Sequence, residues 1–382
     1  MVGSGPKLST GTIPVADRRE TITAAAGRLE SLDIFRGMTI AGMMLVNNAG
    51  GFPEVYAPLK HAHWHGWTFT DTVFPFFLWI CGVAMTFSFA KRMESGADKG
   101  TLLLHSLRRA AMIFGLGLLL NGFPYYNLAT LRIPGVLQRI AVCYAIGAVI
   151  FLYTSRRAQI WITGGLLAVY WGLMSWVPVP GCGVGSLERD CNLEQLVDGM
   201  FLSGHMYSNT KTWDPEGIVS TIPAVGTILF GILAGHLLRS RLPSLEKLGW
   251  MFFSGNLLLF AGLLWDKALP INKSIWTSSY AVFMAGMAMV VFSCCYWLAD
   301  YKGWRKWGKP FAIYGSNAIA VYVIAGLLAR TIGLLGWKQP MYQALLSFAS
   351  PIHASLLYGL ANVALLYLVA MGLYRKGWFL RV

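Results

Sequence analysis

Asp71-Thr72-Val73-Phe74-Pro75-Phe76-Phe77-Leu78-Trp79-Ile80-Cys81-Gly82-Val83-Ala84-Met85-Thr86-Phe87-Ser88-Phe89-Ala90, followed at once by Lys91-Arg92, carries one charge at its front and none inside. About twenty apolar residues in a helix rise roughly 30 Å, the thickness of bilayer hydrocarbon, so the run reads as a transmembrane helix. Counting this run, ten apolar stretches of roughly 18 to 23 residues meet the same length requirement. They start near Asp33, Asp71, Leu102, Gly135, Ala158, Ile218, Lys247, Trp276, Pro310 and His353. Composition agrees: 55% of the 382 residues are hydrophobic, only 13% are charged, and mean hydropathy is +0.53. The expected fold is all-α, a polytopic membrane helix bundle of about ten transmembrane helices.

The net charge of +14 could suit an anionic partner, so the positions of the cations decide what it means. With a cytoplasmic N-terminus, 22 of the 31 lysines and arginines fall on the cytoplasmic side. The other nine are Lys60, Arg132, Arg139, Arg189, Lys211, Lys267, Lys273, Arg330 and Lys338, which lie in spans or outward loops. This is the positive-inside bias of a membrane protein with both termini cytoplasmic. It explains the charge and excludes nucleic acid as a partner.

Residues 1–27 are polar, lack the apolar core of a cleavable signal peptide, and read as a flexible cytoplasmic tail; residues 28–382 read as one continuous membrane domain. Three outward segments are long or chemically dense, 49–70, 177–217 and 266–275, and 333–352 reads as an interfacial helix. Cys81, Cys143, Cys294 and Cys295 fall in apolar spans, where cysteine is usually a small core residue. Cys182 and Cys191 share the long outward loop, where an oxidising compartment permits a disulfide.

Three histidines alternate in Lys60-His61-Ala62-His63-Trp64-His65-Gly66-Trp67, immediately before the span that opens at Asp71. An extended backbone would put His61, His63 and His65 on one face, as in a metal site, but the tryptophans fit an interfacial belt and no further ligand lies at short spacing except Asp71. No metal is expected. His61, beside Lys60 and ten residues before Asp71, has the most tunable surroundings and suits proton transfer or nucleophilic work. Asp71 can cap its helix and orient an imidazole together. Asn47, near the outer end of the first span, is placed to hydrogen-bond a reacting group.

The remaining polar signals are weaker. Asp33 and Arg36 share a helix face and can pair, or Arg36 can receive a phosphate from the cytoplasm. Arg108 and Arg109 are alternative phosphate contacts. Arg132 and Arg139 flank Pro134-Gly135 at the start of the fourth span, and Arg139, one turn inside, needs a partner in the bundle. Asp214-Pro215-Glu216 reads as an N-cap, a first-turn proline and a dipole-matched acid before the sixth span. Asn272, Lys273 and Asn317 complete the binding candidates.

Taken together, these segments resemble the heparan-α-glucosaminide N-acetyltransferase family, particularly its shorter bacterial members. The match runs from about Arg28 onward, through Ser31-Leu32-Asp33-Ile34-Phe35-Arg36-Gly37, Lys60-His61-Ala62 with Trp64, Asp71-Thr72-Val73-Phe74-Pro75, Arg132 to Arg139, and Asp214 to Gly217. The resemblance implies acetyl transfer from cytosolic acetyl-CoA to a glucosamine-type amine on the far, periplasmic side of a bacterial inner membrane, by a dimer. It places His61 at the active-site histidine, Asn47 at the asparagine ending the first span and Asp71 at the acid opening the second. Two departures stand out. The chain lacks the extra N-terminal span and lumenal domain of the lysosomal members, which argues against an extended sulfated polysaccharide acceptor, and it carries His63 and His65 where those members have other polar residues. Direct base catalysis and an acetyl-imidazole intermediate both remain open. Two other classes stay in view: an amino-sugar or oligosaccharide permease, with a helix broken at Pro223, and a histidine-ligated metalloenzyme.

Overall fold

The computed structural model describes residues 29–51 and 53–379, so the expected tail, 1–27, lies outside the described residues. A helix begins within a few residues of each of the ten expected starts. These are α1 (Glu30–Asn47), α2 (Phe69–Glu94), α3 (Lys99–Gly122), α4 (Val136–Tyr153) and α5 (Arg156–Trp176). After α6 (Leu193–Phe201), in the long loop, come α7 (Thr221–Leu238), α8 (Ser244–Trp265), α9 (Ser278–Tyr296), α10 (Lys309–Ser316) and α11 (Ala318–Leu334). The chain closes with α12 (Lys338–Leu346), in the segment expected to hold an interfacial helix, and α13 (Pro351–Arg375). Among the described residues seven helices are long and apolar enough to cross a membrane, or eight if the bent pair ending in α11 is one span; α1 and α5 are not among the seven.

Local chemistry explains most starts. Asp98, Ser155 and Thr277 accept backbone N–H groups of Thr101, Ala158 and Tyr280 as N-caps, and Thr68 forms a capping box with Asp71. The bundle is layered. Within their apolar windows α2, α7 and α9 are 78%, 67% and 67% buried, against 28%, 22% and 28% for α3, α8 and α13, so the latter three form the outer shell of the bundle.

Glycines set the closest crossings, because membrane helices associate by packing rather than by expulsion of water. A Cβ on Gly82 of α2 would sit 2.1 Å from the Ile228 carbonyl oxygen of α7, and one on Gly231 of α7 would sit 2.0 Å from that of Trp79. On the other flank, α1 lies against α10 so closely that a Cβ on Gly37 would overlap the Phe311 carbonyl. From there the chain bends by 70° into α11.

Connections meet at two opposite ends. At one end Arg132 reaches Asp214, Gly66 bridges Asn272, and Trp64 reaches Leu187. At the other, Arg239 pairs with Glu94, Arg305 with Glu30, and Asp300 receives the Ser31 N–H. The first end carries a lid, residues 177–220, with two short antiparallel hairpins, β1 (Pro178–Val179) with β2 (Gly183–Val184) and β3 (Leu187–Glu188) with β4 (Cys191–Asn192). These are the exceptions to an all-helical chain. Cys182 and Cys191 are disulfide-bonded across the lid.

Two expected local features differ. The sixth long helix starts at Thr221 after an uncapped Ser220, so Asp214 is not its N-cap. Pro223 falls in that helix's first turn, where its missing N–H costs nothing and no break results. The break occurs instead at Asn317, between α10 and α11.

Gly231→Val is expected to abolish recovery of monodisperse protein in detergent. Gly249→Ala, where a Cβ meets open space, is expected to leave the size-exclusion profile unchanged.

Candidate active site

Asp71 sits in the first turn of α2 with its side chain 1% exposed, and each carboxylate oxygen has its own task. Oδ1 lies 2.6 Å from His61 Nδ1. Oδ2 accepts the backbone N–H of Ala62 and of Thr68, both at 3.0 Å, and the Thr68 hydroxyl at 3.1 Å. Helix cap and imidazole holder are thus one group. His61, whose side chain is 55% exposed, keeps Nε2 available.

Pro75 contributes from inside the helix. It has no N–H to give the Asp71 carbonyl four residues back, and the Tyr280 hydroxyl donates to that carbonyl at 2.6 Å instead. Tyr280 packs on Trp276, which packs on Phe74, tying α9 to the start of α2, which the histidine loop enters. The loop is pinned on its other side as well. Gly66, at φ +91°, donates its N–H to the Ile271 carbonyl at 2.7 Å, a backbone conformation that glycine adopts without a Cβ clash. His61, His63 and His65 are exposed while Ala62, Trp64 and Gly66 are half-buried. Among the described residues no three histidine, cysteine or acidic side chains come together as a metal set.

A second constellation lies behind the dyad. Arg132 donates to both oxygens of Asp214, from Nε at 2.8 Å and Nη2 at 2.6 Å, and from Nη2 to Glu216 at 2.6 Å, with its guanidinium over the Tyr207 ring. Burial opposes the charge on Arg132, but the Asp214 hydrogen bonds and both acids raise its pKa further. Burial would likewise raise Glu216; Lys273, Arg132 and Arg139 outweigh it and hold this carboxyl below its usual value. Lys273 is within electrostatic reach of Asp71 too, so it links the two groups. Arg139 stacks on Trp276 and donates to the Gly217 carbonyl and the Ser220 hydroxyl, and Ser220 donates to Glu194. Trp276 itself holds φ +47° while fully buried, a conformation that surrounding packing must enforce.

The other expected residues are placed as follows. Asn47 ends α1 and lines a cavity of about 350 Å³ with Asn48, Asn121, Gln138, Tyr322 and Arg330. No hydrogen bond joins Asn47 to His61 or Asp71 among the described residues. Arg36 pairs with Asp33 at 3.1 Å near the opposite end. Asn272 Oδ1 accepts the N–H groups of Ser274 and Ile275, a turn-forming role. Asn317 is buried at the α10–α11 bend.

Glu194, Asp198, Tyr280 and Gln138 escaped the sequence reading. Glu194 and Asp198 lie on α6 and are fully buried. Burial and the Asp198 charge push the Glu194 carboxyl well up, and burial with nearby Asp214 raises Asp198 to about 6, against the two backbone N–H groups it accepts. A carboxylate on an amphipathic loop helix gives no sign in sequence of which face it will turn inward.

Residues 28–263 match the family model of the heparan-α-glucosaminide N-acetyltransferase catalytic region. The chain belongs to this family. The Mus musculus heparan-α-glucosaminide N-acetyltransferase is 28% identical over 421 aligned positions, covering 95% of this chain and 62% of the relative. The Homo sapiens enzyme of the same name is 29% identical over 358 positions, covering 79% and 53%. The chain thus spans less than two thirds of the length of either of these family members. His61, Asp71, Arg132, Arg139, Asp214 and Glu216 all fall inside the matched region.

Removing Arg132 leaves two buried acids facing each other, so Arg132→Ala is expected to cost about 3 kcal/mol, read as a lowered Tm in detergent. Because the folded value of Asp198 lies above its ordinary 3.8, the folded chain keeps a proton that the unfolded chain loses as pH rises toward about 6. Its contribution to stability therefore falls through that window. Asp198→Asn is expected to gain Tm relative to the parent over the same rise. Glu216 has the opposite sign: its depressed value stabilises above its ordinary 4.5 and is lost on acidification, so Glu216→Gln should lower Tm at pH 7 and not at strongly acidic pH.

Proposed function

We propose that the chain is a transmembrane N-acetyltransferase that moves acetyl from acetyl-CoA on the cytoplasmic side to the amine of a glucosamine-type sugar on the periplasmic side of a bacterial inner membrane. The observation that carries the reading is the His61–Asp71 pair at the loop-rich end. An imidazole held through Nδ1 by a buried carboxylate presents Nε2 as a base, and the carboxylate balances the imidazolium that forms. In the direct mechanism the amine nitrogen attacks the thioester carbon as Nε2 takes a proton from that nitrogen. The carbon–sulfur bond then breaks and the thiolate leaves. Asn47 would donate to the oxyanion.

A route for the donor would run along α1. Arg36, Ile40, Met43 and Asn47 fall on one face of α1, spaced over eleven residues or roughly 16 Å. Ile40 and Met43 line a small pocket of about 10 Å³ with Phe77, Leu137, Ile140 and Tyr322, and Leu137 and Tyr322 also line the 350 Å³ cavity beside Asn47. A thioester arm would part these side chains, with its phosphates left near Arg36 and the basic inner loops. In this topology all ten helical segments span, α10 and α11 together as one, and both termini are cytoplasmic. The 70° break at Asn317 favours a second reading, a sugar permease with a site at a discontinuous helix.

Sealed vesicles loaded with acetyl-CoA and supplied with glucosamine outside are expected to yield N-acetylglucosamine outside. His61→Ala should lower the rate by at least about 100-fold with unchanged folding. Product confined to the lumen, or counterflow of glucosamine without acetyl-CoA and without acetylation, would contradict the proposal.

A further inference from the structure

Gln138, in the first turn of α4, is 3% exposed, yet its Nε2 has no hydrogen-bond partner among the described residues. The side chain lines the 350 Å³ cavity alongside Asn47, Asn121 and Tyr322. Two glycines make room for it. A Cβ on Gly117 would come within 2.3 Å of Gln138 Oε1, and one on Gly135 within 2.7 Å. The carboxamide is thereby fixed from α3 on one side and from its own N-terminal turn on the other. Its neighbours Val136 and Leu137 line both the cavity and the small apolar pocket bounded by Ile40, Met43 and Phe77. A buried donor left unpaired is costly, and a position kept clear for it by two glycines, on the wall of a cavity lined by other polar side chains, suits a ligand that brings its own acceptor.

We infer that Gln138 is a donor-binding residue whose Nε2 donates to an amide carbonyl of the pantetheine arm as the thioester lies in the cavity. The inference rests on the acetyltransferase reading above and deepens it. An arm of alternating methylenes and secondary amides matches this lining, in which apolar side chains of α1, α2 and α4 lie near a carboxamide whose unpaired N–H can meet another amide. The role is binding, separate from the proton chemistry at His61. The competing account is that Gln138 only fills the space left by Gly117 and Gly135.

Steady-state kinetics on purified full-length protein separate the two. Gln138→Leu removes the donor at similar volume, and Gln138→Glu keeps the shape while presenting an acceptor. In both, KM for acetyl-CoA is expected to rise about tenfold, the worth of one hydrogen bond, with kcat and KM for glucosamine within about twofold of the parent. A space-filling role would shift both KM values together or lower the amount of folded enzyme without changing either. An unchanged acetyl-CoA KM in the two variants, or a parallel shift in both substrates, overturns the inference while leaving the acetyltransferase reading intact. Absence of acetyl transfer by the parent protein overturns the reading and the inference with it.

Discussion

The carboxylate of Asp71 is the constraint on which the loop-rich end depends. One buried group caps α2 through Thr68, fixes the backbone at Ala62 and holds the His61 imidazole through Nδ1. Local folding and chemistry are therefore not separable here. Any change that frees the imidazole also loosens the start of a largely buried helix and the turn that carries the histidines. Charge-assisted hydrogen bonds to a carboxylate are among the stronger ones available to a protein, and four groups converge on this one. The same helix start is reinforced from α9, because Pro75 leaves the Asp71 carbonyl free and Tyr280 occupies it.

Around that point the structure assembles segments that are far apart in the chain. Arg132 binds acids more than eighty residues away, the Trp64 indole donates to Leu187 in the disulfide-closed lid, and Asn272 lies beside Gly66. Trp276, held at positive φ, forms the pivot between Arg139, Tyr280 and Phe74. The lid packs through a small apolar cluster of its own, in which its Leu193 and Val219 meet Tyr170 and Met174 of α5, with Trp64 against them. The histidine loop is thus clamped between a rigid helix start below and a folded lid above.

Helix positions were legible in the sequence because bilayer thickness imposes a length on apolar runs, and each expected start has a helix nearby. Fine local structure was less so. Asp214 followed by Pro215 and Glu216 has the form of a helix cap, but Arg132 claims the carboxylate and the helix begins after Ser220; tertiary ion pairing outweighed local capping. Pro223 looked like a break and falls in a first turn, whereas the bend at Asn317 carries no proline. The proximity of His61 to Asp71 could be read from their spacing around a capping turn. Gln138, Glu194 and Asp198 could not, because their meaning lies in what packs around them: a glycine of another helix and one at its own helix start in one case, and a loop helix turning its acids inward in the other.

The tautomer of His61 shows whether Asp71 holds the imidazole through Nδ1. With ¹⁵N-labelled histidine and His61→Gln as the subtraction control, at a pH where the imidazole is neutral, the account predicts protonated Nδ1 and unprotonated Nε2 in the parent protein, and a mixture of tautomers in Asp71→Asn. A parent His61 carrying its proton on Nε2, or one whose tautomer is indifferent to Asp71, would contradict it.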